Sequence, residues 1–290
     1  KERYPIIASQ NPRLGHRAIR LRAVDDFLAL DPRSRKSYAS TVRTRDLETA
    51  LYTRDLDPID ALLSDTPGVI VRTDFSDSIA WASFLLTLVD AEKELLTDTV
   101  TDAGSGAGPP PSSATQPVDA DGDSSSDSGS DQDPAPSNPP QLTFFSICDP
   151  VTADDQARLE GTCNLAVLRL VADADVRDAP PVPQGIKRIK PGHRLVDLGG
   201  LQEIYRGRGV WIYDEQSNVD GAVRMVNLEG DVYGTATGDS WRVRASHITE
   251  IQVNMAFHGM KVDFGGMDRW DYAERIRNLE FANRAQVAAS

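Results

Sequence analysis

The sequence has no long apolar run and little cysteine, and each absence excludes a class of protein. No stretch of the 290 residues is apolar over the roughly 20 residues that a membrane helix needs, so an integral membrane protein is not expected. Two cysteines, Cys148 and Cys163, are too few for a disulfide scaffold. The expected location is therefore cytoplasmic or nuclear. The sequence starts at Lys1 and not at Met, which leaves open a removed targeting segment before it.

Basic charge is scarce and unevenly distributed. The formal net charge is −13, with 31 Lys and Arg against 44 Asp and Glu. Residues 1–45 hold 11 basic and 4 acidic residues, whereas residues 97–140 hold 8 Asp and no basic residue. Because phosphate binding needs a basic surface, nucleic acid is an unlikely partner except through the N-terminal segment. For its arginines we favour a solvated helical face that meets the acidic remainder of the chain.

The most informative feature that is present is the stretch VIVRTDFSDSIAW at residues 69–81. Its apolar start, Val69 to Val71, is typical of a strand that is covered on both faces. The polar residues Asp74, Ser76 and Asp77 can then accept hydrogen bonds from the free amides that open a helix. The apolar stripe of that helix consists of Trp81, Phe84, Leu85 and Leu88. A strand that leads into a helix begins a βαβ unit, so we expect Trp81 and Phe84 to be buried against a sheet.

The chain divides into a main domain and two additions. Residues 67–290 predict an α/β domain with a mixed sheet of about five strands and packed helices. Residues 1–66 predict a helical N-terminal extension, which Asp31-Pro32 and Asp57-Pro58 punctuate. Residues 97–140, rich in Ser, Pro and Asp, predict a disordered acidic insertion between the first helix and the second strand.

Further strands and helices follow from hydrophobic periodicity. The predicted strands are Leu142–Cys148, Val210–Tyr213, Ala222–Leu228 and Ser240–Arg244. The predicted helices are Thr152 to about Thr162, with Asp149 or Thr152 as its cap, and Asp268–Ala289. The apolar run Leu165–Val171 fits either a strand or a helix.

Four stretches, in this order, resemble an uncharacterised family of bacterial and fungal domains. They are VRTDFSDSIAW, FFSICDP from Phe144, VWIYDEQSNVDGAVRMVNL from Val210, and WRVRASHITEIQVNMAFHGMKVDF from Trp241. The resemblance implies a strand that ends in Asp-Pro, a strand that ends in Asp, and a closing block. In that block a strand is followed by an Asn-rich turn and a Met…Asp-Phe pair. It implies no known activity.

Three predicted strands end in an aspartate: Asp74, Asp149 and Asp214. If the strands are parallel neighbours, all three carboxylates lie at the carboxyl edge of one sheet, where α/β folds bind ligands. Such a cluster could hold Mg²⁺, which prefers oxygen ligands, and would permit phosphoryl chemistry. Each Asp could instead cap the element that follows it, and we favour this interpretation.

Histidine and cysteine provide weaker signals. His247 and His258 are eleven residues apart, with Asn254 and Asp263 nearby in sequence. A His beside a carboxylate can act as an acid or base or bind a metal, but this spacing fits no zinc pattern. We therefore favour surface or turn histidines. Cys148 ends a strand, and without a nearby His it is expected to be a small buried residue.

Two functional hypotheses follow from these patterns. The first is a non-catalytic protein-interaction or scaffolding protein with a protein partner. The second is a metal-dependent phosphoesterase- or nuclease-like enzyme that uses Asp74, Asp149 and Asp214. We favour the first, because each catalytic signal is weaker than its structural explanation.

Overall fold

The computed structural model describes residues 3–41, 57, 59–60, 63, 65–104, 142–181, 185, 192–231, 235–264 and 271–287. Its helices are α1 (Arg3–Gln10), α2 (His16–Ala29), α3 (Pro32–Thr41), α4 (Ser78–Gly104), α5 (Ala153–Leu159), α6 (Asn164–Val171), α7 (Ser217–Asp220), α8 (Ala245–Phe257) and α9 (Tyr272–Val287). Its strands are β1 (Gly68–Arg72), β2 (Phe145–Cys148), β3 (Asp173–Asp178), β4 (Leu201–Arg206), β5 (Gly209–Tyr213), β6 (Ala222–Val226) and β7 (Ser240–Arg244).

The central sheet has five strands in the order β2-β1-β5-β6-β7. Strand β1 is parallel to both neighbours, and Val71 lies opposite Cys148 of β2 and Ile212 of β5. Strands β6 and β7 extend the sheet in antiparallel pairing. The prediction of an α/β fold with a mixed sheet of about five strands is therefore confirmed. A second, two-stranded sheet pairs β3 with β4, and hydrophobic periodicity did not predict it.

Helices cover both faces of the sheet, as the apolar run of β1 predicted. Val69 and Val71 join one core cluster with Leu165 and Leu168 of α6. Ile70 points to the other face and joins the cluster of α4 and α8. Because every residue of β1 is buried, this strand needs apolar side chains on both of its faces. The ambiguous run at 165–171 is the helix α6, not a strand.

Helix α4 is longer than the sequence predicted. It extends from Ser78 to Gly104, so residues 97–104, which were assigned to the insertion, are helical. The other residues of the predicted insertion, up to 140, lie outside the described part of the chain. Although α4 is long, no helix in the described ranges is long and apolar enough to cross a membrane.

The closing block differs from the expectation. The predicted strand Ser240–Arg244 is present as β7, but a helix, α8, follows it where an Asn-rich turn was expected. Asn254 lies within this helix. The spacing of Ile248, Ile251 and Met255 is helical and was the available signal, since these three side chains pack against the α4 side of the sheet.

The N-terminal helices pack onto the main domain, as predicted. Val24 and Leu28 of α2 belong to the same apolar cluster as β1. Several N-terminal cations have intramolecular partners: Arg17 lies 2.6 Å from Asp60, and Arg20 lies 3.0 Å from Asp173. These contacts support a helical face that meets acidic residues of the same chain. The part of the predicted helical extension that follows residue 41 lies largely outside the described residues.

A further ion pair of α2, between His16 and Asp173, makes the attachment of this helix dependent on pH. His16 lies 3.3 Å from Asp173, and this hydrogen bond raises the pKa of His16 above its usual 6.5, against the effect of burial. The same bond helps to hold the pKa of Asp173 below 3.8 although burial acts in the opposite direction. The contribution of His16 to the stability of the fold is therefore fully present below pH 6.5. The contribution of Asp173 is fully present above pH 3.8.

As the pH rises above 6.5 and through the pKa of His16 in the folded protein, we expect the melting temperature of the wild type to fall. The fall should be steeper than in the variant His16→Gln. The reason is that the neutral imidazole loses its charge interaction with Asp173, whereas Gln carries no charge at any pH. Thermal melts of both proteins across this range test the prediction. Parallel curves for the two proteins would contradict it.

Candidate functional site

The ends of the three parallel strands lie side by side at one edge of the sheet. Because β2, β1 and β5 are adjacent and parallel, Asp149, Asp74 and Asp214 all follow strands that end at this edge. Neighbouring strands are about 4.8 Å apart, so the three connections begin within about 10 Å of one another. The carboxylates do share an edge, an arrangement that the sequence left conditional on parallel neighbouring strands. Their function depends on which groups each of them contacts.

Asp74 takes part in a hydrogen-bonded turn. Its Oδ1 accepts hydrogen bonds from the amide of Ser76 at 3.1 Å, from the Ser76 hydroxyl at 2.6 Å and from the side-chain amide of Asn218 at 2.8 Å. Burial acts to raise the pKa of Asp74, but these hydrogen bonds hold it below the usual 3.8. Asp74 is therefore ionised at neutral pH, and the helix that follows is capped by Asp77 instead.

Asp149 binds a tryptophan and an arginine and does not cap a helix. Its Oδ2 accepts a hydrogen bond of 2.8 Å from the indole N–H of Trp81, and its Oδ1 lies 3.5 Å from the Arg72 guanidinium. The cap of α5 is Thr152, whose hydroxyl accepts from the amide of Asp155 at 3.2 Å. Of the two predicted caps for this helix, Thr152 is thus the correct one.

Asp214 binds two arginines. The Arg242 guanidinium donates to both of its carboxylate oxygens, at 3.0 and 2.9 Å, and Arg224 lies 3.1 Å away. Its Oδ1 also accepts from the amide of Ser217 at 3.0 Å, which begins the short helix α7. Burial acts to raise the pKa of Asp214, but the hydrogen bond from Arg242 and the charge of Arg224 hold it below 3.8.

The motif around Arg72 forms a cation–π cluster. Its guanidinium lies 5.0 Å from the ring centres of both Phe75 and Trp81. Its Nε donates to the carbonyl of Asp74 at 2.8 Å, so the side chain also fixes the turn. The stretch from Val69 to Trp81 therefore encodes a rigid strand–turn–helix joint, with the buried cation between two aromatic rings.

The two candidate histidines are far apart. His247 lies in the first turn of α8, and His258 follows the last residue of that helix. Eleven residues of helix span about 16 Å, so the two rings cannot bind one ion or one substrate atom together. Both side chains are exposed. Throughout the described ranges, no group of three or more His, Cys, Asp or Glu side chains is placed to hold a metal ion.

Other groups suited to acid–base or nucleophilic chemistry have unfavourable pKa values. Burial, with a contribution from Asp149, raises the pKa of the Cys148 thiol to about 11. Burial likewise raises the pKa of Tyr213 to about 12. Cys148 is a buried core residue, as the sequence predicted, and a thiol with this pKa is a poor nucleophile at neutral pH.

Exposed apolar side chains are the unexpected feature of this edge. Each of the three connections carries one: Ile79 is 82% exposed, Val151 is 93% exposed and Val219 is 80% exposed. They were not among the residues predicted from the sequence. A signal existed for Ile79, which is two positions before Trp81 and so points about 200° away from the buried stripe of α4.

Direct hydrogen bonds hold the three connections together. Asn218, beside Val219, donates to Asp74 and to Ser76, at 2.8 and 3.3 Å. Trp81 donates to Asp149, which fixes the connection that carries Val151. We call Ile79, Val151 and Val219 with their three connections the carboxyl-edge surface.

A cleft of about 380 Å³ borders this surface, between α4 and the connection after β5. Most of its lining residues are small or polar, such as Ala80, Ser83 and Ser246, but the lining also includes the charged side chains of Asp220 and Arg244. The cleft is open to solvent and lies beside Asn218 and Asp220, close in sequence to Val219. It is wide enough for a single large side chain of a partner.

Comparison of the chain with protein-family models, with curated proteins and with solved structures gave no match. The resemblance to the uncharacterised bacterial and fungal family thus stays a prediction.

The metal hypothesis and the observed geometry predict opposite effects for Asp214→Asn. In a metal site, removal of one carboxylate relieves repulsion between like charges, which raises the melting temperature without Mg²⁺ and abolishes any rise caused by Mg²⁺. The observed contacts lead us to expect a loss of about 1–3 kcal/mol, because Arg242 and Arg224 each lose one of two carboxylate partners and keep only Asp220 and Glu274.

Melts with EDTA and with Mg²⁺ or Mn²⁺ distinguish the two outcomes. Asp74→Ala removes a second carboxylate of the proposed metal site. We expect a loss of about 1 kcal/mol that is the same with and without metal, because Ser76 and Asn218 lose their acceptor. A metal-dependent stabilisation of the wild type that Asp214→Asn eliminates would contradict our expectation.

Proposed function

We propose that this chain is a non-catalytic protein-interaction or scaffolding protein, and that it binds its protein partner through the carboxyl-edge surface. The observation that carries the proposal is the exposure of Ile79, Val151 and Val219, one in each of three adjacent connections. Single exposed apolar residues are common on proteins, but three at one rigid edge are typical of a binding surface.

The rigidity of the edge supports this proposal. The Arg72 side chain between Phe75 and Trp81, together with the hydrogen bonds of Asn218, holds the backbone in place before a partner arrives. A surface that is ordered in advance loses less conformational entropy on binding, so more of the interaction energy contributes to affinity.

The alternative is a metal-dependent phosphoesterase- or nuclease-like enzyme with Mg²⁺ at Asp74, Asp149 and Asp214. The position of the three carboxylates at one edge favours it. The arginine partners of Asp149 and Asp214 weigh against it. A metal ion would have to compete with the guanidinium groups of Arg72 and Arg242 for these carboxylates. We therefore prefer the interaction function.

The test compares two triple variants in affinity capture from the native source, followed by measurement of affinity for the partner that is identified. The edge variant is Ile79→Ser, Val151→Ser and Val219→Ser. The control variant is Ile6→Ser, Leu86→Ser and Phe257→Ser, which removes exposed apolar side chains that lie outside the three connections.

We expect the edge variant to lose affinity for the partner by a factor of about ten or more, because the three lost apolar contacts together need to contribute only about 1.4 kcal/mol for this effect. The control variant should bind as the wild type does. Equal affinity of the two variants for the partner, whether unchanged or equally reduced, would overturn the proposal.

A further inference from the structure

The charge of the carboxyl-edge surface narrows the class of partner. The connections at residues 73–80, 149–155 and 214–221 together contain eight Asp or Glu and no Lys or Arg. Of these acids, Asp149 is paired with Arg72, Asp155 with Arg158, and both Asp214 and Asp220 with Arg242.

Each connection also presents one exposed carboxylate without a counter-charge. These are Asp77 in the connection that carries Ile79, Asp154 in the connection that carries Val151, and Glu215 in the connection that carries Val219. In the part of the chain that the structure describes, no Lys, Arg or His nitrogen lies within 4.0 Å of these three carboxylates. The apolar and acidic groups thus repeat as a pair in all three connections.

We propose that the partner binds through a cationic segment that carries apolar side chains between its Lys or Arg residues. This inference rests on the proposed function and names the chemistry of the partner. Apolar side chains of the segment would cover Ile79, Val151 and Val219, while its cations would approach Asp77, Asp154 and Glu215. Complementary charge accelerates encounter and selects partners, and it disfavours phosphate-bearing ligands and acidic proteins at this edge.

The experiment is selection of a random 12-residue peptide library on the full-length protein, with counter-selection on the edge variant that replaces Ile79, Val151 and Val219 by Ser. The enriched peptides are then synthesised and titrated. We expect them to have a net positive charge and at least two large apolar residues. Their affinity should fall about tenfold or more on the edge variant.

Two charge variants distinguish local attraction from the general acidity of the chain. The first, Asp77→Asn, Asp154→Asn and Glu215→Gln, removes the three exposed carboxylates, and Asn at position 77 can still cap α4. The second, Asp90→Asn, Glu94→Gln and Glu250→Gln, removes the same charge from α4 and α8, away from the edge. We expect the first to weaken binding about fivefold or more at low salt and the second to change it less than twofold.

The outcomes separate this inference from the proposed function. Enriched peptides that are neutral or acidic, and that still lose affinity for the edge variant, would overturn the cationic partner but support an interaction surface at the edge. Equal weakening by the two charge variants would also overturn the inference, because the attraction would then come from overall charge. If the selection enriches no peptide that prefers the wild type over the edge variant, a linear cationic partner is excluded. The capture experiment then decides on the proposed function by itself.

Discussion

Replacement of Arg194 by Met should lower the free energy of unfolding by about 3–5 kcal/mol, which is typical when one member of a buried ion pair is removed. Arg194 is 1% exposed, and its guanidinium binds both Glu203 of β4 and Asp25 of α2. Glu203 is fully buried and also contacts Arg169 and the hydroxyl of Tyr205. In the variant, Asp25 loses its arginine partner, and the charge of Glu203 is compensated only by Arg169 and the hydroxyl of Tyr205.

The matched control is a surface ion pair between β4, the strand of Glu203, and β3. Arg206 lies 2.6 Å from Asp175, but the two side chains are 62% and 46% exposed. Arg206→Met should therefore cost less than about 1 kcal/mol. Urea unfolding of the wild type and the two variants tests the difference. If Arg194→Met and Arg206→Met lower the free energy of unfolding by similar amounts, a buried charge network does not link α2 to β4.

The elements that were predicted correctly have a strong local signal. Strand β1 is a continuous β-branched run, and the buried face of α4 is marked by Trp81 and Phe84, which are 5% and 4% exposed. Asp31 and Pro32 also punctuate the chain as expected, because Asp31 accepts hydrogen bonds from the first amides of α3. In each case the residues that decide the structure are close together in the sequence.

The elements that were missed depend on distant partners. Strand β3 has the sequence DADVRD, with three acids in six residues, and no local pattern marks it as a strand. Its Asp173 is stabilised by Arg20 and His16 of α2, and its Asp175 by Arg206 of β4. Hydrophobic periodicity contains no information about such ion pairs, because they form only once the chain has folded.

For the candidate site, the position of the three aspartates could be predicted from the sequence, but their arginine partners could not. That Asp74, Asp149 and Asp214 share an edge follows from parallel strands, and the structure has this arrangement. The arginines that bind Asp214 come from β6 and β7, where Arg224 and Arg242 lie directly opposite each other. Their approach depends on the register of two antiparallel strands, which the sequence alone does not determine.

Replacement of Trp81 by Ala should have an effect as large as that of Arg194→Met, with a loss of about 3–5 kcal/mol. The indole packs 5.4 Å from the ring of Phe84 and 4.7 Å from the ring of Tyr213, between centroids. It also covers the Arg72 guanidinium and donates to Asp149. Alanine removes the apolar contacts, the cation–π contact and the hydrogen bond at once.

Trp81→Phe separates packing from the hydrogen bond. Phe retains an aromatic ring beside Phe84 and Tyr213 but has no N–H for Asp149, so the expected loss is about 1–2 kcal/mol. Chemical denaturation gives both values. Binding of the partner should fall in Trp81→Ala even where the protein is folded, because Asp149 and the connection with Val151 lose their link to α4. A fully folded Trp81→Ala variant with unchanged affinity would show that this rigid joint is not needed for the carboxyl-edge surface.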